Sequence, residues 1–132
     1  MHILSVSTHT SEELIDITSH LRNYLKSSGA ADGILTVYCP HTTAGLTINE
    51  NADPDVTRDI LARLVPATGD YRHAEGNSDA HIKASLMGFT VTVPVIEGRL
   101  ALGTWQAIYF CEFDGPRRRR LLVGVTGEAG AG

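Results

Sequence analysis

The chain has 132 residues, of which 42% are hydrophobic and 20% are charged. This length and composition are typical of one globular domain, and they exclude a disordered or fibrous chain. The formal net charge of −4 argues against a general attraction to nucleic acid or to an anionic membrane. We therefore expect one domain over residues 1–125, no nucleic-acid or membrane partner, and at most a local anion site.

The amino-terminal segment MHILSVSTHT has neither a basic leader nor a long apolar run, and no later stretch reaches transmembrane length. Cys39 and Cys111 both lie in apolar runs. This placement favours buried, reduced thiols over a disulfide framework. We therefore expect a cytoplasmic protein.

The first predicted elements are a strand and a helix. Residues 2–8 alternate apolar and polar side chains, as a half-buried strand does. Thr10 and Glu13 have the spacing of a capping box, and Gly29 suits the end of a helix. The apolar residues between them recur at helical spacing. They are Leu14, Ile17, Leu21 and Leu25.

Two apolar, β-branched runs at 33–39 and 45–48 predict the next strands. The polar residues His41, Thr42 and Thr43 therefore lie where two strands meet. A second helix is predicted to begin with Asp53 as its cap and Pro54 in its first position, and to end by Pro66.

A polar stretch at 66–80 is too long for a simple connector, and such loops often carry functional residues. A short helix at 81–87 should end at Gly88. Further strands are predicted at 89–95, 102–113 and 121–125. About three helices and seven strands result, followed by a Gly-rich segment, 126–132, that we expect to be a flexible tail.

Three histidines, His41, His73 and His81, stand among acids, amides and hydroxyls. Three neutral imidazoles can hold a catalytic metal and leave one position open for water or substrate. Glu50, Glu75 or Asp79 could then act as a further ligand or orient an imidazole ring, and Glu50 or Glu75 could be a general base. Isolated histidines in loops are also commonly solvated or hydrogen-bonding groups, so the spacing leaves both interpretations open.

Four consecutive arginines occupy 117–120 at the start of a predicted strand. Strand alternation would place Arg117 and Arg119 on one face, where they could grip a phosphate together with Thr42 and Thr43. The alternative is a charged edge strand that resists aggregation. We expect loss of either arginine to leave folding nearly unaffected, because exposed charges contribute little to stability.

Other polar and reactive residues have two interpretations each. Asn49 and Glu50 precede a helix start, and neither is explained by capping. Gln106 could orient a ring-containing substrate, whereas core packing is the expected role of Trp105. Cys39 could be a nucleophile if its thiolate were stabilised, and is otherwise an inert buried thiol.

Four blocks carry a resemblance to a known family: CPHTTAGLTINENADPDV at 39–56, EGNSDAHIKASLMG at 75–88, GTWQ at 103–106 and FDGPRRRR at 113–120. In this order they resemble the YjbQ-type proteins known as secondary thiamine-phosphate synthases. The resemblance implies an α+β fold built on a β-sandwich, a homotrimer, and a polar pocket formed where subunits meet.

The resemblance also implies a metal-dependent enzyme that joins a pyrimidine diphosphate to a thiazole phosphate and releases pyrophosphate. A divalent cation, zinc or magnesium, would stabilise the departing pyrophosphate. Two alternatives stay open, a trimeric ligand-binding module without turnover and a metal-assisted hydrolase. The expected site residues fall into three groups. They are Glu50, Glu75 and Gln106 for catalysis; Thr42, Thr43, Asn49, Asn77, Arg117 and Arg119 for the phosphorylated substrate; and His41, His73 and His81 for the metal.

Overall fold

The fold is that of an α+β protein built on a β-sandwich, as expected. The computed structural model describes residues 1–65 and 76–129. Within these ranges the chain forms eight strands and three helices. In chain order they are β1 (His2–Ser7), β2 (Glu13–Asp16), α1 (Thr18–Ser28), β3 (Ala30–Tyr38), β4 (Ala44–Glu50), α2 (Pro54–Arg63), α3 (Ser78–Met87), β5 (Thr90–Ile96), β6 (Arg99–Leu100), β7 (Gln106–Glu112) and β8 (Arg118–Ala129).

Two antiparallel sheets pack face to face. One has five strands in the order β1-β8-β3-β5-β6, and the other has three in the order β2-β7-β4. The core lies between them and is filled by alternate, inward-facing residues of each strand. Leu35 and Val37 of β3 meet Phe110 of β7 there, and Leu21 and Leu25 of α1 close one side.

The first helix begins later than the sequence predicts. The Glu13 carboxylate does accept from the backbone N–H of Thr10, at 2.8 Å, as in a capping box. Glu13 nevertheless starts β2, because its backbone pairs with Glu112 of β7. The helix starts at Thr18 and ends, as predicted, at Gly29, whose φ is 73°.

The second helix agrees with its sequence signals. Asp53 caps α2 by accepting from the backbone N–H of Asp55 at 2.9 Å, and Pro54 is its first residue. The third helix starts at Ser78, three residues before the expected position, and ends before Gly88. None of the helices in the described ranges is long and apolar enough to cross a membrane.

Two expectations for the carboxyl-terminal half are wrong. Residues 102–105 do not belong to a strand, since β7 begins only at Gln106. Residues 126–129 do not form a flexible tail, because they continue β8 and pair with the start of β3. Residues 130–132 lie outside the described ranges.

Candidate functional site

Three segments that are distant in sequence meet at one end of the sandwich. They are the loop between β3 and β4, the first residues of α3, and the connection from β7 into β8. Together they line a pocket of about 440 Å³, here called the arginine pocket. Its lining residues are Pro40, His41, Thr42, Thr43, Asn77, His81, Asp114, Arg117 and Arg119.

Arg119 forms the buried floor of this pocket. Its side chain is 6% exposed and is paired with Glu112, which is fully buried. The Arg119 Nε donates to Glu112 Oε1 at 2.9 Å, and Nη2 donates to Thr43 Oγ1 at 2.9 Å. The Thr8 hydroxyl also donates to Glu112, at 2.7 Å. Glu112 and Thr43 therefore fix the guanidinium plane, while the Arg119 Nη1 has no hydrogen-bond partner among the residues described.

Arg117 lies at the rim, with its side chain 54% exposed. Its Nη2 donates to Asp114 Oδ2 at 3.0 Å. The same carboxylate oxygen accepts from Asn77 Nδ2 at 2.9 Å, whereas the Asn77 Oδ1 is buried without a partner. Asp114 thus ties the start of β8 to the start of α3.

Strand alternation sorts the four arginines as predicted. Arg117 and Arg119 line the pocket, whereas Arg118 and Arg120 are exposed and do not. The alternative of a charged edge strand is wrong, because β8 lies between β1 and β3. The premise that both charges are exposed is wrong for Arg119, whose side chain is buried and paired with Glu112.

His41 lies against β8. Its Nε2 is 3.0 Å from the backbone oxygen and 3.1 Å from the backbone nitrogen of Arg120. Burial, assisted by the nearby positive charge of Arg119, lowers the pKa of His41 below its ordinary value of 6.5. The ring is therefore neutral at pH 7, and only its Nδ1 is left for a ligand or a metal.

The predicted metal ligands are only partly brought together. His41 and His81 line the same pocket, but His73 and Glu75 lie outside the described residues. Within residues 1–65 and 76–129 there is no group of three or more His, Cys, Asp or Glu placed to hold a metal ion. The described part of the pocket therefore supplies two imidazoles toward such a site.

The two threonines differ in what they do. Thr42 is exposed in the pocket lining, where its hydroxyl can meet a ligand. Thr43 is buried, and its hydroxyl accepts from Arg119. Thr43 therefore helps to orient the Arg119 side chain and is not itself available to a ligand.

Three of the predicted site residues lie at the opposite end of the smaller sheet. The β4–β7 register pairs Glu50 with Gln106 at that end and Ala44 with Glu112 at the pocket end. Six residue steps of about 3.3 Å separate the two ends by about 20 Å. Asn49, Glu50 and Gln106 of one chain are therefore distant from its arginine pocket.

Trp105 lies near this second end, and its side chain is 62% exposed. The expectation that it packs in the core is wrong, because residues 102–105 form a loop and a turn instead of an inward-facing strand. Gln106 uses its Oε1 to accept from the backbone N–H of Gly103 at 2.8 Å, so this amide is partly engaged in holding the turn.

The cysteines match the inert alternative. Both are free and buried. Burial raises the pKa of Cys39 and raises that of Cys111 to about 12. The Cys39 thiol donates weakly to the carbonyl of Ala44, at 3.5 Å, and it does not line the arginine pocket. Neither environment stabilises a nucleophilic thiolate.

Glu112, Asp114 and Thr8 were not among the predicted site residues. Glu112 does carry a sequence signal, because a single acid inside the apolar run 107–113 must find a partner if that run is buried. In the sequence, Asp114 has only the features of a turn residue before Gly115. Thr8 offers no signal beyond its place at the end of a strand.

Comparison with known proteins agrees with the resemblance seen in the sequence blocks. Residues 2–128 match the family model described as UPF0047 protein YjbQ-like. The chain is 51% identical to UPF0047 protein MJ1081 of Methanocaldococcus jannaschii over 126 residues, which cover 93% of this chain and 91% of that protein. It is 50% identical to UPF0047 protein YugU of Bacillus subtilis over 128 residues, covering 94% and 97% of the two chains.

Among solved structures, the chain is similar to an uncharacterized conserved protein of the YjbQ/UPF0047 family from Clostridium acetobutylicum. The TM-score is 0.93 at 53% identity, with 96% of this chain and 100% of that chain covered. A hypothetical protein from Aeropyrum pernix has a TM-score of 0.91 at 36% identity, covering 96% and 98% of the two chains. The sandwich is therefore shared across nearly the whole length of these relatives.

Proposed function

The chain belongs to the YjbQ-like UPF0047 family, and on that premise we propose that it is a cytoplasmic enzyme acting on phosphorylated small molecules. The arginine pocket is its substrate site. The observation that carries this proposal is the buried guanidinium of Arg119, which is held from below by Glu112 and Thr43. A charge kept at a pocket floor in this way is suited to an anionic ligand.

The donors of the pocket suit a phosphate group in particular. Arginine matches phosphate geometry with two parallel N–H groups, and charge-assisted hydrogen bonds are about twice as strong as neutral ones. Arg117 and Arg119 each have an Nη1 without a partner among the described residues. The exposed hydroxyl of Thr42 adds a neutral donor. These groups reach one pocket from the loop between β3 and β4 and from the start of β8.

The specific activity that we propose is secondary thiamine-phosphate synthesis, in which a pyrimidine diphosphate and a thiazole phosphate condense and pyrophosphate leaves. The resemblance of the four sequence blocks supports this choice of reaction. The arginine pocket would hold the departing pyrophosphate and stabilise the negative charge that develops on it.

A divalent metal is part of the same proposal. His41, through its Nδ1, and His81 would be two of its ligands, and His73 or Glu75 would complete the set. Imidazole ligands favour zinc over magnesium, which prefers oxygen. When bound, the ion would supply a further positive charge for the pyrophosphate. Metal analysis of wild-type protein and of the His41→Ala and His81→Ala variants tests this assignment, and unchanged metal content in both variants contradicts it.

The distance to Glu50 and Gln106 supports a homotrimer in which a second copy completes the site. The outer face of the five-stranded sheet offers an apolar surface for assembly, since Ile3, Ile34 and Ile96 are each at least half exposed there. Mixed assemblies test the idea. Inactive Arg117→Ala and Glu50→Gln chains should regain part of the activity when they are refolded together, because one site of the mixture then has both groups.

The second candidate is a ligand-binding module without turnover. It is favoured by one observation, that both described carboxylates at the pocket, Glu112 and Asp114, are already paired with arginines. A metal-assisted hydrolase, with Glu50 or Glu75 activating water, is the third candidate. Incubation of purified protein with the two thiamine precursors, and separately with phosphate esters, distinguishes condensation, hydrolysis and binding alone.

Calorimetric titration of pyrophosphate tests the phosphate site itself. Arg117→Ala should weaken binding by about tenfold to a hundredfold, as expected for the loss of a charged hydrogen bond. The neighbouring Arg118→Ala is the matched control, because Arg118 is exposed but lies outside the pocket. Equal losses in the two variants would indicate a diffuse basic surface, and would contradict a specific site.

A further inference from the structure

We propose that Asp114 makes the arginine pocket selective for a phosphate group that still carries a proton. The preferred ligands are then phosphate monoesters and inorganic phosphate, and sulfate and sulfate esters are rejected. This inference rests on the proposed function, because it concerns the same pocket. It assigns a specificity-determining role to a residue that the sequence presents only as part of a turn.

The first observation is the charge balance of the pocket. Its described charged groups are Arg117 and Arg119, paired with Asp114 and Glu112. The charges of these four side chains cancel, so in protein without a bound metal ion a fully ionised dianion would enter with both of its charges uncompensated. A singly charged anion is the better match.

The second observation is an accessible acceptor among the donors. The Asp114 side chain is 26% exposed, and its Oδ2 already accepts from Asn77 and Arg117. Its Oδ1 has no hydrogen-bond partner among the residues described. An ionised carboxylate can only accept, so it repels a bare anionic oxygen and needs an O–H or N–H from the ligand.

A protonated phosphate supplies such a group. Its P–O–H can donate to Asp114 while its ionised oxygens accept from Arg117 and Arg119. Sulfate has nearly the same size and shape, but it carries no proton near neutral pH. Only sulfate therefore has to place an anionic oxygen against the Asp114 carboxylate without a hydrogen bond between them, and this repulsion weakens its binding.

The simpler interpretation is that Asp114 only neutralises Arg117. The two interpretations differ in what they predict for Asp114→Asn. If the carboxylate acts only as a charge beside Arg117, its loss changes the affinities for two anions of equal charge by the same factor. If it receives a proton from the ligand, its loss removes the preference for phosphate.

The experiment is calorimetric titration of inorganic phosphate and of sulfate at about pH 8.5, where both anions carry two negative charges and only phosphate carries a proton. Wild-type protein should bind phosphate about tenfold to a hundredfold more tightly than sulfate. Asp114→Asn should bind the two anions with affinities within about threefold of each other, mainly because sulfate gains.

Asp55→Asn is the matched control. Asp55 also pairs with an arginine three residues later, Arg58, on an exposed surface, but it lies outside the pocket, so this variant should discriminate as the wild type does. Equal binding of phosphate and sulfate by wild-type protein would overturn the inference and leave the phosphate site standing. Failure of wild-type protein to bind either anion or pyrophosphate would overturn the proposed function as well.

Discussion

Replacing Arg119 by alanine is the perturbation that the structure makes most informative. The side chain pairs with Glu112, which is fully buried, and the substitution would leave that carboxylate without its counter-charge. Removing one partner of a buried ion pair costs about 3–5 kcal/mol. The exposed pair of Arg117 with Asp114 is worth about 0–1 kcal/mol. Two arginines of one basic run should therefore differ severalfold in their effect on stability.

Urea unfolding followed by circular dichroism measures the difference. With a slope of about 2 kcal/mol per molar, Arg119→Ala should lower the unfolding midpoint by roughly 2 M, and Arg117→Ala by less than about 0.5 M. Adding Glu112→Gln to Arg119→Ala should recover part of the loss, because the orphaned charge is removed. All proteins are compared at one concentration, since assembly would shift the midpoint. Equal midpoints for the two single variants would refute the reasoning.

Three further predictions concern the rest of the molecule. Because the folded-state pKa of His41 lies below its ordinary value of 6.5, its contribution to stability is present above that pH and is lost as the pH falls through the folded pKa. Thermal unfolding of His41→Gln should therefore decline less on acidification than that of the wild type, and identical profiles would contradict this. Cys39 and Cys111 should not react with a thiol reagent until the protein unfolds, and rapid labelling of the native protein would show that a thiol is accessible. Light scattering should give a trimer that Ile34→Asp dissociates, whereas an unchanged mass for this variant would remove the apolar sheet face as the interface.

The sequence predicts elements well where their signals are local. The cap and first residue of α2, Asp53 and Pro54, act within one helical turn, and the alternation of β1 reports burial on one face. The interaction of Thr10 with Glu13 is also local and does form. It fails to predict the helix start because pairing of β2 with β7 takes the backbone that follows, and that pairing joins residues about a hundred positions apart.

The carboxyl-terminal segment shows a different limit. Gly127 and its neighbours suggest a flexible tail, because glycine-rich segments lose much conformational freedom on folding. The structure shows why glycine is needed at this position. A Cβ on Gly127 would lie 1.9 Å from the carbonyl oxygen of Asp32, and one on Gly33 would lie 1.9 Å from that of Thr126. Two glycines meet where β3 and β8 cross closely, which cannot be seen from either segment alone.

The site was predictable in its donors but not in their partners. Strand periodicity alone places Arg117 and Arg119 on one face. The choice of Glu112 as the partner of Arg119 depends on β7 and β8 lying in different sheets that meet at this end. The role of Asp114 depends on α3 delivering Asn77 to it from 37 positions away. A basic run therefore indicates where an anion can bind. The tertiary fold decides which carboxylates pair with each arginine and which of its N–H groups are left for a ligand.

The register of the smaller sheet also limits how catalysis can work. Glu50 opposes Gln106, and Ala44 opposes Glu112, so no change short of unpairing β4 from β7 can bring Glu50 to Arg119 within one chain. Unless a second chain supplies Glu50, proton transfer in the described pocket falls to His41, His81 and Asp114. Of these, His41 can accept a proton only at Nδ1, the atom that the proposed metal would occupy, because its Nε2 contacts the backbone of Arg120. If the proposed activity holds, the assembly state and the identity of the general base are a single question, and the mixed-chain experiment addresses both.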